Sequence, residues 1–181
     1  MKKTIAIIIS AGFLFACNNA AENKTEEKPA AASEATNAKP AIELPFKAEY
    51  SSNFTQDVSD QDLKTALDSY VFWRDGDLDK LAAIMGDTAE VEMADGSSKK
   101  WVNVELKKMW KMHRDSMSKV DIMMEAWTKL KSDKGDNIIA TWYKETDTYK
   151  TGKVDSAYYH DINILKDGKI VYYSTFKKPA K

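Results

Sequence analysis

The order of hydrophobic patterns along the chain predicts an α+β fold, with three N-terminal helices packed on a strongly curved antiparallel meander sheet. Apolar residues recur at helical spacing from about residue 59 to residue 117. After Lys119 they recur at every second position, in four runs that are separated by short turns. Helices followed by a series of long strands are typical of an α+β domain with its helices on one face of the sheet.

The three helices are predicted from capping residues and periodicity. Ser59 provides an N-cap hydroxyl ahead of two acidic residues, and the pair Asp75-Gly76 ends the first helix. Asp77 then caps a second, shorter helix. A short strand is predicted over residues 90–93, and a third helix runs from about Val102 to Ser116 with its apolar residues on one face.

The sheet is predicted from four β-rich runs, at residues 120–130, 137–149, 154–165 and 169–176. The turns between them contain Gly135, Gly152 and Gly168, each in a short polar segment. Closely spaced turns between long strands indicate an antiparallel meander.

The N-terminus predicts a lipoprotein signal peptide over residues 1–16. Two lysines precede a short apolar run, which is too short for a stable transmembrane span. The run ends in Leu14-Phe15-Ala16-Cys17, which resembles a bacterial lipobox with Cys17 as the lipidated residue. The alternative is an ordinary signal peptide in which the cysteine is incidental. Lipidation would place the protein in the bacterial cell envelope, without determining which membrane or leaflet carries it.

The chain behind the signal divides into three parts. Residues 17–45 are rich in Ala, Glu, Lys, Asn, Thr and Pro, a composition that predicts a disordered, lipidated tether. Residues 46–58 are aromatic and extended in character, and we expect them to lie as a strap against the domain. Residues 59–178 form the folded domain.

Composition excludes several classes of function. Cys17 is the only cysteine among 181 residues, and with Cys17 used for lipidation no thiol is left for an intrachain disulfide, a thiol nucleophile or cysteine-ligated zinc. The formal net charge of −1 gives no field that would attract nucleic acid, and no nucleic acid partner is expected. No metal site and no cofactor are expected either, because no spacing of His, Asp and Glu on one element resembles a metal site and no Gly-rich phosphate loop is present.

Three segments resemble the nuclear transport factor 2-like superfamily, in its SnoaL-like branch: Trp73–Leu81, Asp95-Gly96 and His160–Ile170. The resemblance covers about residues 62–176. It implies a cone-shaped half-barrel, in which a bent sheet wraps a long helix and leaves a pocket at the open end. That superfamily includes isomerases, cyclases, dehydratases and epoxide hydrolases, as well as members that only bind a ligand or a partner, so the fold alone does not give the function.

Candidate pocket residues follow from the assumption that the more apolar, even-numbered strand positions face the helices. These strand positions and the inward faces of the helices together give six candidate pocket residues: Tyr70, Trp110, His113, Trp142, Tyr158 and His160. His160 could act as a general base with Tyr158 or Tyr70 as a hydrogen-bond donor, or each histidine could be a hydrogen-bonded wall residue. The same assumption points four aspartates outward: Asp121, Asp147, Asp155 and Asp161.

The odd-numbered strand positions carry aromatic residues that could form a homodimer interface. The candidate dimer face consists of Met123, Trp127, Tyr143, Tyr159 and Tyr173. The resemblance implies dimerisation through the sheet, whereas the alternative explanation is the preference of strands for aromatic side chains.

From the sequence we therefore expect an envelope lipoprotein whose domain binds a small apolar ligand or a protein partner without catalysing a reaction. The alternative is a small lyase or isomerase that uses general acid–base catalysis around His160 and Tyr158. The surroundings of His160 separate the two, since a base needs a carboxylate or hydroxyl that orients it within an open pocket.

Overall fold

The computed structural model describes residues 44–180, which form a mixed α+β domain. The segments predicted as signal peptide and as most of the tether, with Cys17, lie outside the described residues. In chain order the elements are β1 (Phe54–Thr55), α1 (Asp60–Asp75), α2 (Leu78–Ala83), β2 (Met85–Glu92), β3 (Ser98–Val102), α3 (Asn103–Arg114), β4 (Met117–Ser132), β5 (Asn137–Tyr149), β6 (Val154–Lys166) and β7 (Lys169–Pro179).

The helix boundaries follow from the caps in the sequence. The Ser59 side chain accepts a hydrogen bond from the Asp62 backbone N–H, and Gly76 ends α1 in the left-handed conformation with φ of 74°. Asp77 accepts from the Lys80 backbone N–H at the start of α2. None of the helices within residues 44–180 has the length and apolar character needed to cross a membrane.

Helix α3 is held in place by the side chain of its first residue. The Asn103 amide donates to the carbonyls of Ala82 at 2.9 Å and Gly86 at 3.0 Å, which ties α3 to the end of α2 and the start of β2. Arg114 at the other end donates to the carbonyls of Trp73 and Arg74 at the end of α1. These contacts fix the helices relative to one another on one side of the sheet.

The domain is built on one curved sheet of seven strands, and the strand order is β1-β4-β5-β6-β7-β2-β3. Strands β4 to β7 form the predicted antiparallel meander, while β2 runs parallel to β7. The register shifts twice between β4 and β5, at residues 117–119 and 124–126, once between β6 and β7, and once in β2 between Met85 and Glu90. Such irregularities bend and twist a sheet, which lets it curve around the helices.

The structure differs from the prediction at the far edge of the sheet. The strand expected at 90–93 extends over Met85–Glu92, and Ser98–Val102 forms a further strand that was not predicted. In that strand Lys99, Lys100 and Val102 are exposed and Trp101 is half-buried. An edge strand of this kind lacks the apolar alternation of a half-buried strand.

The segment ahead of α1 lies along the other edge. Phe54 and Thr55 pair with Ser132 and Lys131 of β4. Further along the segment, the Tyr50 hydroxyl donates to the Asp136 carboxylate in the turn after β4. Val58 is buried with Ala66, Leu106, Ile139 and other residues of the hydrophobic core between the helices and the sheet.

Candidate functional site

A cavity of about 240 Å³ lies between the helices and the inner face of the sheet. Aromatic residues form much of its wall: Tyr70, Trp73, Trp110, Tyr143, Tyr159 and Tyr173. Aliphatic and methionine side chains complete the apolar part, among them Leu81, Met85, Val91, Met109 and Ile170. The polar groups are few, as in most small-molecule sites.

The strand residues that face the cavity have odd numbers. Tyr143 and Glu145 come from β5, Tyr159 and Asn163 from β6, and Tyr173 and Thr175 from β7. Cross-strand pairs such as Tyr143 with Tyr159 and Asn163 with Tyr173 place them side by side on one face. The parity assumed from the sequence is therefore reversed.

Asp161 lies fully buried between the cavity-facing residues of the three strands and accepts three hydroxyl hydrogen bonds. Thr175 donates to Oδ1 at 2.6 Å, while Tyr143 and Tyr70 donate to Oδ2 at 2.9 Å and 3.1 Å. Burial raises the pKa of this carboxyl to about 6, although the hydroxyl donors act to lower it. The outward orientation expected for Asp161 is wrong.

Tyr70 connects this carboxylate to helix α1. Its Oη lies 2.7 Å from the Thr141 Oγ1 atom and accepts a hydrogen bond from the Asn163 amide at 3.1 Å. With Tyr70 donating to Asp161, the Thr141 hydroxyl is free to donate to Tyr70. Burial is also the main reason that the pKa of Tyr70 is well above its usual value, so it remains a neutral hydroxyl.

Glu145 places a second carboxyl in the cavity wall. Only 8% of the residue is exposed, and burial together with the charge of Asp147 raises the pKa of Glu145 to about 8. A hydrogen bond with the Trp73 side chain acts in the opposite direction. The carboxyl therefore holds its proton at neutral pH, and it can donate that proton or release it when a cation approaches.

Asp147 lies two residues further along the same face of β5. Its pKa is raised by burial, whereas the nearby His113 acts to lower it. The Oδ1 atom is buried without a hydrogen-bond partner among the described residues. The inner face of β5 thus carries two adjacent acidic side chains, and the outward orientation expected for Asp147 is also wrong.

His113 lies at the solvent-exposed end of the cavity. It is exposed on α3, lines the cavity wall and stacks on Trp73 of α1 with ring centroids 5.9 Å apart. Of the six residues predicted for the pocket, Tyr70, Trp110 and His113 line the cavity. All three come from helices.

The three predicted pocket residues from the strands lie on the other face of the sheet. Trp142 and Tyr158 are 37% and 41% exposed, and neither lines the cavity. His160 stacks on Trp142 with ring centroids 4.5 Å apart, and its Nε2 atom has no hydrogen-bond partner among the described residues. Without a partner that orients it, His160 is not placed to act as a base with Tyr158.

The residues of the candidate dimer face do not share one surface. Tyr143, Tyr159 and Tyr173 line the cavity and are not available to a second subunit. Met123 and Trp127 are 56% and 51% exposed. The aromatic side chains at these odd positions therefore serve mainly as cavity wall.

The register shift between Met124 and Ala126 of β4 separates Met123 and Trp127, the remaining two residues of the candidate dimer face. Met123 pairs with Lys144, whereas Trp127, beyond the irregularity, pairs with Thr141. Because Lys144 and Thr141 are three positions apart on β5, they point to opposite sides, and their partners do the same.

Four residues of the site were not predicted from the sequence: Glu145, Asp161, Asn163 and Thr175. The signal that could have found them is the row of hydrogen-bonding side chains at alternate positions of three neighbouring strands. Within residues 44–180, no three His, Asp or Glu side chains come together in a way that could hold a metal ion.

Comparison with solved structures identifies the architecture. An NTF2-like protein of unknown function from Exiguobacterium shares 22% identity at a TM-score of 0.52, over 63% of this chain and 98% of that one. An NTF2-like protein from Anabaena variabilis shares 14% identity at a TM-score of 0.56, over 70% and 96% of the two chains. The chain has the nuclear transport factor 2-like fold.

An LEH-like epoxide hydrolase from M. tuberculosis has the same fold, with 11% identity and a TM-score of 0.57 over 66% of this chain and 84% of that one. No protein-family model matches the sequence, and no curated protein matches it significantly. At these identities the likeness establishes the fold, and the function has to be argued from the cavity.

Proposed function

We propose that this protein is a cell-envelope lipoprotein whose nuclear transport factor 2-like domain binds a small, largely apolar molecule. The observation that supports binding is the cavity, where aromatic and methionine side chains surround a few convergent polar groups. At about 240 Å³ it is larger than the cavity of about 150 Å³ that accommodates benzene in an engineered protein, so a ligand of one ring with substituents fits.

The lipid anchor is supported by the sequence alone. Cys17 stands at the end of a short apolar signal, and residues 18–43 are long enough to separate the domain from the bilayer. A tethered binding domain of this kind would hold its ligand, or sample it, close to the membrane surface.

Filling the cavity tests the binding function. We expect Met109→Trp, which adds bulk to a side chain of the cavity wall, to abolish retention of the small molecule that co-purifies with the full-length protein. Met112→Trp is the matched control, since Met112 lies on the same helix and is 73% exposed. Extraction and mass spectrometry of the three proteins provide the measurement. Equal retention by both variants, or no bound molecule in any preparation, would contradict the proposal.

The anchor is tested separately. We expect Cys17→Ser to abolish incorporation of labelled fatty acid and to release the protein from the membrane fraction or leave it as an uncleaved precursor. Ser10→Ala, in the apolar run ahead of the lipobox, is the control and should be lipidated normally. A Cys17→Ser protein that is still processed and lipid-labelled would show that the lipobox assignment is wrong.

Glu145 supports a second candidate function, general acid–base catalysis in the same cavity. A buried carboxyl with a pKa of about 8 can give and take a proton near neutral pH. This moves the catalytic alternative from His160 and Tyr158 to Glu145, which lies beside the tyrosine hydroxyls that donate to Asp161. Conversion of the extracted compound by the wild type but not by Glu145→Gln would favour this candidate over binding alone.

A further inference from the structure

The cavity combines many aromatic side chains with a single acid. Six of the described lining residues are Tyr or Trp, Glu145 is acidic, and none of the lining residues within 44–180 is Lys or Arg. Aromatic faces carry negative potential and attract organic cations, which is the basis of aromatic cages for ammonium groups. Anionic ligands would meet repulsion from this wall.

The aromatic residues are grouped around Glu145 on the inner face of the sheet. Tyr143 precedes Glu145 by two positions on β5, packs edge-on against Tyr70 at 4.9 Å and stacks on Tyr159 at 5.2 Å between centroids. Trp73 reaches Glu145 from the helix side. A group that contacts the Glu145 carboxyl is therefore close to several aromatic rings at once.

Acidic groups predominate in the walls around Glu145. Asp147 on β5 and Asp161 on β6 both act on Glu145 and raise its pKa. The basic side chains nearby are His113 on α3, at the exposed end, and Lys177 on β7, whose Nζ lies 3.4 Å from the Asp155 carboxylate. Asp147 Oδ1 is buried without a partner among the described residues, so the wall has an excess of acceptors.

We propose that the cavity binds an organic cation, a quaternary or protonated amine on a small apolar body, with the Glu145 carboxylate as its counter-ion. This inference rests on the proposed ligand-binding function and specifies the chemistry of the ligand. The aromatic rings supply cation–π contacts to the ammonium group, and the methionine and aliphatic wall covers the apolar body.

Binding of such a ligand is coupled to release of a proton. Because the pKa of Glu145 is about 8, the carboxyl is mostly protonated at pH 7 and must ionise when the cation binds. The affinity for a cation therefore rises with pH up to about 8 and then levels off. A neutral ligand that accepts a hydrogen bond from protonated Glu145 shows the opposite dependence.

The test compares phenyltrimethylammonium, which has no titrating proton, with tert-butylbenzene, in which carbon replaces the nitrogen. Trp73 and Trp110 line the cavity, so quenching of tryptophan fluorescence in the full-length protein reports binding. We expect the cation to bind more tightly than the neutral compound at pH 9, and its affinity to fall by up to about tenfold per pH unit below pH 8. Calorimetry in buffers of different ionisation enthalpy should show release of close to one proton at pH 7.

Three variants locate the counter-ion. Glu145→Gln should remove the preference for the cation and its pH dependence, with a loss of roughly tenfold or more at pH 9, and should leave tert-butylbenzene unaffected. Glu125→Gln, at an exposed position of β4, is the matched control and should behave as wild type. His113→Gln removes the imidazole at the exposed end of the cavity and should retain the pH dependence.

The outcomes separate this inference from the function on which it rests. Equal affinity for the two compounds at pH 9, a pH-independent affinity for the cation, or an unchanged preference in Glu145→Gln would each overturn the cation site. If the wild type binds only tert-butylbenzene, and Met109→Trp abolishes that binding, the cation site is overturned and the ligand-binding function stands. Failure of both compounds to bind also overturns the cation site, and the co-purified molecule then decides the function.

Discussion

Asp161 joins four secondary-structure elements through one side chain. The residue is on β6, and its hydroxyl donors Tyr70, Tyr143 and Thr175 come from α1, β5 and β7. Each hydrogen bond to a buried carboxylate is stronger than a bond between neutral groups, provided that the acceptor stays ionised or shares its proton within the network. This one carboxyl group therefore holds α1, β5, β6 and β7 together beside the cavity.

Replacement of that group should be strongly destabilising. We expect Asp161→Ala to lower the free energy of unfolding by roughly 3–5 kcal/mol, because three hydroxyls, two of them on buried tyrosines, lose their acceptor at once. Asp161→Asn retains one acceptor oxygen and should lose less. Asp121→Ala, at an exposed position of β4, should stay within about 0.5 kcal/mol of wild type. Urea unfolding at pH 7 measures all four proteins, and an Asp161→Ala midpoint near that of wild type would contradict this role.

At the scale of elements, the sequence predicts what depends on local signals. The caps at Ser59 and Gly76 set the ends of α1, and the glycine turns separate the long strands, because these features act within a few residues of the chain. The α+β class follows from the change of periodicity after Lys119. The pairing of β2 with β7 joins residues that are far apart in the sequence and carries no comparable local signal. Strand β3 pairs with its chain neighbour β2, but its polar residues do not show the alternation of a half-buried strand.

The orientation of the sheet could not be predicted, because both faces are apolar. Trp142, His160 and Phe176 form a cross-strand row on the outer face. The inner face carries tyrosines and polar residues, and the Asp161 carboxylate there accepts hydrogen bonds from Tyr143 and from Tyr70 of α1, a pairing that only the folded structure creates. A rule that turns the more apolar face inward fails when hydrogen-bonded polar side chains lie among the residues that line an interior cavity.

At the scale of the whole molecule, the net charge is small but the acidic groups are unevenly distributed between surface and interior. The formal charge is −1, yet the domain encloses Glu145 and Asp161, and both resist ionisation because they are buried. The folded state therefore binds more protons than the unfolded chain at mildly acidic to neutral pH. This difference makes stability depend on pH in a direction that is opposite to ordinary acid denaturation.

Stability should therefore fall as the pH rises. A carboxyl whose pKa is higher in the folded state stabilises most below its unfolded pKa, and the contribution is lost as the pH rises to the folded pKa. For Asp161 this loss ends near pH 6, and for Glu145 it continues to about pH 8, so Glu145 contributes to the slope between pH 6 and 8 after Asp161 has ceased to do so. We expect Glu145→Gln to flatten that part of the curve by at most about 1.4 kcal/mol per pH unit, whereas Glu125→Gln keeps the wild-type slope. Equal slopes in wild type and Glu145→Gln, measured by urea unfolding at several pH values, would show that Glu145 ionises in the folded protein as freely as in the unfolded chain.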